Sequence, residues 1–522
     1  MANLSKTDSK NIDQFLLWVP MVLIGVLTGA LVLNKEAGNA VLDTIFTAVT
    51  GGFGWLYQLY TFAFFILFFY FVFGKYSQKK LGNSKPDYKT FTWWALMTTS
   101  TTSAGLLYWS SIEFYYYLSA PPYGATPFSI EAYDWSGAYV LLHWGVTPVA
   151  MYTVLGVVFG YYFFVLKRDV VRPSTVCDGV LGNRANGWLG KAIDVFFIFS
   201  IVCGVGTSLG LGTPLVAECI HVLFGVPHTI MLDLALVLCW TAFFATTLYM
   251  GLEKGVSRLS DIRVWISIIV LAYLVIVGPR AFMFNQMSDG IGMFLQNLLR
   301  MSFYTDPYAG TGFPQEWTIF YWAWFIAYAI TYGMFLARIS KGRTVRQFVI
   351  ASMVGGSLGS FIFFWVIGNY NMFLNKTGVV DIGAILQTSG APAAIVACWQ
   401  SYPGAVILFP ILGVLTFICA ATSLNGAAFT LSMVTAKHNS ENPAKWTRVL
   451  WALLLGFVAV TLTFLGTLKA IKTASVLGSF PLIFITILMM VSFFKTLQKK
   501  GWEDNSQPGT SIAESRKSIS AD

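Results

Sequence analysis

Five side chains that could form a binding surface recur on one face of a predicted helix that begins near residue 317. Spaced i, i+1, i+4, i+7 and i+8, they are Trp324, Phe325, Tyr328, Thr331 and Tyr332. Electron-rich rings with few acceptors nearby suit a quaternary ammonium, which has no N–H to donate, and each desolvated ring contributes about 2 kcal/mol. Aromatic residues also gather at membrane interfaces, so the spacing alone leaves both interpretations open.

A second face with related chemistry lies earlier in the chain. Trp109, Glu113 and Tyr116 are spaced i, i+4 and i+7, and the next hydrophobic segment contains His143 and Trp144. A carboxylate placed centrally in a membrane helix costs about 2.5–3.5 kcal/mol, so Glu113 is expected to face protein or water. Two roles are open for it: holding the helix geometry through hydrogen bonds, which we favour, or acting on a cationic substrate.

The composition indicates what kind of protein positions these side chains. The 522 residues are 56% hydrophobic and only 11% charged, whereas a soluble domain carries about 25% charged residues. Too few charges are present to cover several water-soluble domains, so the chain is predicted to be a polytopic membrane protein in a lipid bilayer. The net charge of +9 does not indicate nucleic-acid binding, because the basic residues fall in loops.

No metal, cofactor or catalytic site is predicted. The six cysteines are scattered without a CxxC pair, which favours small buried side chains over disulfides or zinc ligands. The four histidines are not arranged with a nucleophile or metal partner that would indicate an enzyme; they are His143, His221, His228 and His438.

Hydropathy predicts twelve membrane-spanning helices, since a hydrocarbon core of about 30 Å needs about 20 apolar residues. The predicted spans are 15–34, 52–74, 91–118, 136–166, 193–212, 229–250, 262–280, 317–338, 347–369, 404–436, 447–468 and 473–494. One set of alternating loops and termini holds 26 Lys and Arg residues and the other only 6. This asymmetry predicts that both termini are cytoplasmic and that the number of spans is even. Three other charged residues inside predicted spans, Asp194, Asp233 and Arg263, lie near the ends of those spans.

The span directions predict an inverted repeat. Spans three to seven and eight to twelve form two five-helix blocks of opposite orientation, a plan that secondary transporters use. The predicted organisation is a cytoplasmic N-terminus (1–14), two peripheral helices (15–90), the first repeat (91–280), an external connection with an amphipathic stretch at 291–303 (281–316), the second repeat (317–494) and a cytoplasmic tail (495–522). A channel is disfavoured, because neither a repeated filter sequence nor acidic rings are found.

Glycines cluster in the fifth predicted span. Gly204, Gly206, Gly210 and Gly212 surround Thr207 and Ser208 in this span. The cluster is typical either of a helix that unwinds to line a cavity or of close helix packing, and the spacing does not separate the two.

Several segments resemble those of the betaine/carnitine/choline transporter family, over residues 13–500. The signature stretches are WTIFYWAW at 317–324 and LARISKGRTVR at 336–346. Three further segments are similar to the carnitine/γ-butyrobetaine antiporter branch: WSSIEFYYY at 109–117, GTSLGL at 206–211 and FYTDP at 303–307.

The resemblance implies a fold, an assembly and a set of site residues. It implies a LeuT-like inverted repeat, a homotrimer in the inner (cytoplasmic) membrane, and an aromatic cage for quaternary ammonium substrates formed by Tyr116, Trp144, Trp324 and Tyr328. An outer site would involve Trp109 and its neighbour Glu113. Arg263 falls where sodium-independent exchangers carry an arginine in place of a coupling sodium, which implies precursor–product antiport without an ion.

Departures from the family pattern keep alternatives open. Phe325 stands where the signature usually has a second tryptophan, and Glu316 stands where a small or polar residue usually starts it. Thr331 and Tyr332 replace Gln-Met of the carnitine exchangers, and the added phenol favours a shorter or hydroxyl-bearing substrate. The alternatives are therefore a choline or choline/trimethylamine transporter and an ion-coupled betaine or choline uptake system. The sequence TSAGL at 102–106 lacks the glycine-rich run of sodium-driven betaine importers, which disfavours the latter.

Overall fold

The computed structural model describes residues 11–99, 103–168, 172–250, 253–437 and 443–502, with only the backbone described for 253–260. The predicted N-terminal segment and tail lie only partly within these ranges, and Thr102 and His438 lie outside them. Within the described residues the secondary structure is helical, and β-pairing is confined to two isolated bridges. The chain is therefore an all-α polytopic protein, as predicted.

Seventeen helices of eight or more residues occur in the described part of the chain. They are α1 (Gln14–Leu33), α2 (Lys35–Phe73), α3 (Thr90–Thr99), α4 (Ala104–Ser119), α5 (Ile130–Trp144), α6 (Val146–Gly160), α7 (Trp188–Phe224), α8 (Ile230–Met250), α9 (Glu253–Val277), α10 (Arg280–Phe303), α11 (Ile319–Arg338), α12 (Val345–Phe363), α13 (Asn369–Lys376), α14 (Ile382–Gln400), α15 (Ala405–Val434), α16 (Lys445–Leu465) and α17 (Leu468–Lys500). Short π-helical turns extend α6 (Tyr161–Val165), precede α11 (Pro314–Thr318) and join α12 to α13 (Phe364–Gly368).

Eleven helical segments among the described residues are long and apolar enough to cross a membrane. The count becomes twelve if the bent pair Asp261–Val277 and Arg280–Phe303 forms one span. The predicted third and seventh spans are absent from these eleven, and the seventh enters the count only as part of the bent pair. α14, which the predicted spans left in a loop, is among the eleven. α14 is the least apolar of the eleven.

Two of the predicted spans are split in the structure. The third, 91–118, divides into α3 and α4, and α4 begins after Ser103, whose hydroxyl oxygen accepts a hydrogen bond from the Leu106 N–H at 3.2 Å. The fourth, 136–166, divides into α5 and α6 at Gly145, which has non-helical φ/ψ angles of −103° and −138°. A Cβ atom on Gly145 would lie 2.2 Å from the Leu141 carbonyl oxygen and 2.5 Å from the Phe361 ring, so the split requires glycine there.

The predicted amphipathic stretch at 291–303 lies inside a longer helix. α10 begins at Arg280, and its axis turns by 108° from that of the preceding helix at Gly278 and Pro279. Proline lacks a backbone N–H donor and ends the α9 hydrogen-bond ladder, which allows the turn. The segment assigned by sequence to an external connection is therefore mostly helical.

The helix α11 occupies the interior of the bundle, in contact with α6, α7 and α17. Gly156 of α6 and Gly333 of α11 allow the closest approach: a Cβ atom on Gly333 would lie 3.0 Å from Leu155 and 3.1 Å from the Gly156 nitrogen. Small residues at such crossings let the backbones approach within the membrane. This crossing brings Tyr152 of α6 beside Tyr332 of α11.

The glycines of the fifth predicted span pack against neighbouring helices. α7 runs without interruption from Trp188 to Phe224. A Cβ atom on Gly206 would lie 3.0 Å from side chains of α16, and one on Gly210 would lie 3.1 Å from Ile471 of α17. These contacts favour the packing interpretation over an unwound segment.

Candidate substrate site

Six aromatic rings surround a small cavity between α5, α6, α7 and α11. They belong to Trp144, Tyr152, Trp324, Phe325, Tyr328 and Tyr332, and the remaining wall is formed by Val149, Ser103, Ser208, Ser360 and Ser423. This central cavity has a volume of about 40 Å³, measured as the space open to the centres of water molecules. That space admits a few waters, so any ligand headgroup within it touches rings on several sides.

Trp144 meets two other rings of the central cavity at steep angles, and a third pair of rings is stacked. Trp144 lies at 90° to Trp324, with ring centroids 5.8 Å apart, and at 82° to Phe325, with centroids 5.6 Å apart. Tyr152 and Tyr332 are stacked, with centroids 4.9 Å apart and planes 18° apart. Rings set at right angles present π-faces towards one space from different directions, which is the arrangement that attracts a cation without hydrogen bonds.

Two glycines on facing helices leave room for these rings. A Cβ atom on Gly105 of α4 would lie 2.4 Å from Cη2 of Trp324, closer than any real contact. A Cβ atom on Gly204 of α7 would lie 3.1 Å from the Tyr328 ring. The positions of Trp324 and Tyr328 therefore depend on the absence of side chains at 105 and 204.

The polar side-chain groups that line the central cavity include the hydroxyls of serines and tyrosines. The Ser208 and Tyr328 hydroxyls are hydrogen-bonded at 3.0 Å. The Nε1 of Trp324 is buried and has no hydrogen-bond partner in the described structure. None of the described residues lining the cavity is charged.

Glu113 holds three aromatic side chains around one fully buried carboxylate. Its Oε2 accepts hydrogen bonds from the Trp144 Nε1–H at 2.8 Å and from the Tyr321 hydroxyl, and its Oε1 accepts one from the Tyr117 hydroxyl at 2.5 Å. The two oxygens of a carboxyl group can accept several hydrogen bonds at once. The carboxylate fixes the orientation of Trp144, and Glu113 itself does not line the cavity. These contacts support the hydrogen-bonding role favoured from sequence, which stays a prediction.

His143 completes the Glu113 network. Its Nδ1 lies 2.7 Å from the Tyr117 hydroxyl oxygen, and its Nε2 lies 3.0 Å from Oγ1 of Thr318. Because the Tyr117 proton is donated to Glu113, one neutral tautomer satisfies every group: Nδ1–H donates to Tyr117 and Nε2 accepts from Thr318. All four side chains of this chain of bonds are buried. The predicted His143 thus has a structural partner, Thr318, in the π-helical turn that precedes α11.

Tyr116 and Trp109 lie in a separate group of rings, which we call the Trp317 cluster (Trp109, Tyr116 and Trp317). The Trp317 centroid lies 5.1 Å from that of Tyr116 and 5.6 Å from that of Trp109. Neither Tyr116 nor Trp109 lines the central cavity. The four-residue cage implied by the family resemblance is therefore divided between two places in this conformation.

A lysine ammonium lies against the Trp317 cluster. Lys472 Nζ is 3.7 Å from the Trp317 ring centroid and 5.3 Å from that of Phe320. Nζ also donates to the Glu316 carbonyl oxygen at 2.8 Å and to the Glu316 carboxylate at 3.2 Å. One ring face of the cluster is thus in contact with a cation that belongs to the protein.

Arg263 lies next to the cavity without lining it. Its Nη1 is 3.2 Å from Oγ1 of Thr422 and 3.6 Å from Sγ of Cys419, both in α15. Ser423, the neighbour of Thr422, forms part of the cavity wall. The guanidinium is buried, at 5% exposure, so its charge acts inside the bundle.

The central cavity collects most but not all of the side chains predicted from spacing. It contains Trp144, Trp324, Phe325, Tyr328 and Tyr332. Thr331 does not line it, although its buried Oγ1 has no partner in the described structure.

Sequence reasoning missed Tyr152 and the cavity serines at 103, 360 and 423. Tyr152 lies eight residues after Trp144, a helical spacing that could have indicated a shared face, but the break at Gly145 interrupts that periodicity. Lys472 was also missed, because it was counted with the loop lysines although apolar residues follow it.

A second, larger cavity lies beneath α10. It has a volume of about 540 Å³ and is walled mainly by aliphatic and aromatic side chains of α5, α10 and α12, such as Val140, Phe294 and Ile362. A polar substrate would find few partners there. The central cavity is therefore the better candidate for a small polar or cationic ligand.

Together the helical bundle and the buried aromatic cavity define a membrane transporter of small molecules. No cluster of His, Cys, Asp or Glu suited to a metal is found among the described residues. The sequence model described as BCCT, betaine/carnitine/choline family transporter, matches residues 15–501, and the chain belongs to that family. It is a transporter of betaine-, carnitine- or choline-type substrates and not an enzyme.

Proposed function

We propose that the protein exchanges quaternary ammonium compounds across the cytoplasmic membrane, as an antiporter of the L-carnitine/γ-butyrobetaine type that needs no sodium gradient. The observation that carries the proposal is the uncharged central cavity, in which Trp144 and Trp324 meet at 90° beside Phe325. A quaternary ammonium loses little by leaving water for such a site, because it has no N–H bonds to satisfy.

The hydroxyl groups of the cavity suit the other end of such a substrate. The Ser208 and Tyr328 hydroxyls can donate hydrogen bonds to a carboxylate or to the hydroxyl of carnitine. Choline remains the second candidate, supported by Tyr332, whose phenol adds bulk and a hydrogen-bond donor at the cavity wall. Ion-coupled betaine or choline uptake is the third.

Arg263 supports the ion-independent mechanism. Its buried guanidinium bonds to Thr422 of α15, one residue from the cavity wall, and supplies a fixed positive charge there. A permanent charge needs no bound cation to complete the transport cycle. In this proposal the two five-helix blocks, 91–280 and 317–494, form the inverted repeats, both termini are cytoplasmic, and three copies assemble in the inner membrane.

The test uses purified protein in liposomes loaded with unlabelled substrate, without any ion gradient. Labelled L-carnitine or γ-butyrobetaine should accumulate inside, and unlabelled carnitine, γ-butyrobetaine, choline, glycine betaine and trimethylamine should be compared as competitors. Accumulation only with a sodium or proton gradient would replace exchange with ion-coupled uptake. If choline competes best, the second candidate takes precedence.

The Arg263→Glu variant tests the role of the guanidinium in the same liposomes. Exchange should stop, or should require added cation, because a carboxylate at this position attracts an ion instead of replacing one. Unchanged ion-free exchange by the variant would remove Arg263 from the mechanism.

A further inference from the structure

A lysine on a membrane-spanning helix points at a tryptophan ring instead of at solvent. Lys472 of α17 is 2% exposed, and its Nζ lies 3.7 Å from the centroid of Trp317. An ionisable side chain within a membrane protein is rare, because its burial is costly, and is treated as functional until a structural reason is found. The geometry here is that of a cation–π contact with the ring face.

The second partner of the ammonium is replaceable. The Glu316 carboxylate lies 3.2 Å from Nζ, but the Glu316 side chain is 43% exposed whereas that of Lys472 is 3% exposed. An exposed ion pair contributes little to stability, so Glu316 can turn towards water at small cost. Burial and the hydrogen bond to the Glu316 carbonyl oxygen hold the ammonium in place. Another carboxylate can therefore replace that of Glu316 beside it.

The contact lies beside a continuous series of rings that leads to the central cavity. Trp317 touches Trp109, Trp109 touches Tyr321 with centroids 6.0 Å apart, and Tyr321 touches Trp144 of the cavity wall with centroids 5.4 Å apart. Ring contacts therefore join the Lys472 site to the wall of the central cavity. The sequence topology places this end of α17 on the external side.

We propose that Lys472 makes the Trp317 cluster select zwitterionic quaternary ammonium compounds over compounds of net positive charge. The inference rests on the proposed function and narrows its substrate class to betaines such as carnitine and glycine betaine. The Lys472 ammonium occupies the Trp317 face that a choline-type cation would use, and it repels a second positive charge. The carboxylate of a zwitterion can take the place of Glu316 beside Nζ, whereas choline offers no such group.

A structural ion pair would behave differently. If Lys472 and Glu316 served only to join α11 to α17, removing the pair would weaken the transport of every substrate alike. The ratio of apparent affinities for zwitterion and cation is therefore the informative quantity.

The experiment measures how external glycine betaine, carnitine and choline compete with labelled substrate in loaded liposomes. The variants are Lys472→Met, which keeps the length of the side chain without its charge, Lys472→Arg, which keeps the charge, and Glu316→Gln. The matched control is Lys469→Met, since Lys469 lies one turn away, is 36% exposed and pairs with Asp43.

Lys472→Met should reduce the preference for zwitterions over choline by about fivefold or more, since a cation–π contact and its charge are removed. Glu316→Gln should raise that preference by about twofold, because the ammonium is then free for a substrate carboxylate. Lys472→Arg and Lys469→Met should leave the ratio unchanged. General damage to the fold would not lower the preference ratio in Lys472→Met and raise it in Glu316→Gln.

Equal effects of Lys472→Met on all three competitors, or an unchanged ratio, would overturn the proposal. The Trp324→Ala variant in the same assay separates this failure from failure of the proposed function. If Trp324→Ala abolishes competition by every substrate while Lys472→Met leaves the ratio unchanged, only the Lys472 inference fails. If all substrates still compete normally in the Trp324→Ala variant, the central cavity is not the substrate site.

Discussion

The central cavity and the Trp317 cluster are both built of aromatic rings on α11 and its neighbours, but they differ in charge. The cavity has no charged group among its described lining residues. In the cluster, the Lys472 ammonium already lies over the Trp317 ring. The difference shows that a group of rings is a cation site only if a ring face is free, and ring composition cannot reveal that.

Glu113 connects the two regions. Its carboxylate holds Trp144 of the cavity wall on one side and Tyr117 on the other, and the Tyr117 ring lies 5.3 Å from Trp317. A displacement of either ring is therefore opposed by the same buried carboxylate. Such a fully bonded network is costly to break, because each lost bond leaves a buried polar group unsatisfied.

The largest expected effect is a difference in substrate binding between a ring of the central cavity and a ring of the Trp317 cluster. Trp324→Ala should weaken substrate binding by about thirtyfold, since a desolvated cation–π contact contributes about 2 kcal/mol. Trp317→Ala should weaken it by less than about threefold, because that ring face is held by Lys472. Isothermal titration calorimetry of the purified variants measures both.

Trp324→Phe should keep part of the affinity, because a weaker ring face remains at the same place. Trp265→Ala, in which a 66% exposed ring on α9 is removed, is the control and should bind normally. Equal losses at 324 and 317 would mean that the two regions are equivalent for the substrate.

Glu113→Gln should reduce substrate affinity about tenfold and lower the melting temperature, because a buried donor left without an acceptor costs about 1–3 kcal/mol. The amide presents an N–H₂ group where Tyr117 or Trp144 needs an acceptor. The control is Glu131→Gln, which alters another carboxylate–indole hydrogen bond, donated by Trp135 Nε1–H at 3.1 Å. Neither Glu131 nor Trp135 lines the cavity or belongs to the Trp317 cluster. Normal affinity in Glu113→Gln would show that Trp144 is positioned without the carboxylate.

Gly105→Ala sharpens the comparison by moving one ring of the cavity and none of the cluster. The new methyl group would lie 2.4 Å from Trp324, and overpacking of this kind costs about 1–3 kcal/mol. Substrate affinity should fall several-fold while the competition ratio between zwitterion and choline stays constant. Gly426→Ala, where no atom lies within 4 Å of the added carbon, is the control. A changed ratio in Gly105→Ala would contradict the separation of the two regions.

The smallest effect is expected at a charge cluster remote from both regions. His228, in the loop between α7 and α8, lies 2.5 Å from Glu218 and 3.2 Å from Asp233. Hydrogen bonds to Asp233 and Glu218 raise its pKa from 6.5 to about 9. A raised pKa stabilises the folded state fully below pH 6.5, and the stabilisation is lost as the pH rises through about 9.

The melting temperature should therefore fall by a few degrees between pH 7 and pH 10, and His228→Gln should flatten this dependence. Substrate affinity at pH 7 should be the same in wild type and variant. An unchanged slope in His228→Gln would assign the pH dependence to other groups, and an altered affinity would connect this loop to the transport site.

The sequence predicted the class of fold and five of the six aromatic rings of the cavity wall. Apolar segments of about 20 residues and few charges indicated the helical membrane protein, and the period of α11 placed Trp324, Phe325, Tyr328 and Tyr332 on one face. It did not predict that Tyr116 and Trp144 would belong to different regions. That division depends on the break at Gly145 and on how α4, α5 and α11 cross, which no single helix encodes.

What the sequence determined by itself is local: the helices, the aromatic face of α11 and the rarity of charge within the spans, because each follows from the periodicity and hydropathy of a continuous segment. Tertiary structure decided which ring faces are free. Lys472 and Trp317 are separated by more than 150 residues along the chain, and only the packing of α17 against the start of α11 brings the ammonium to 3.7 Å from the indole. The same ring type is therefore open in the cavity and occupied in the cluster.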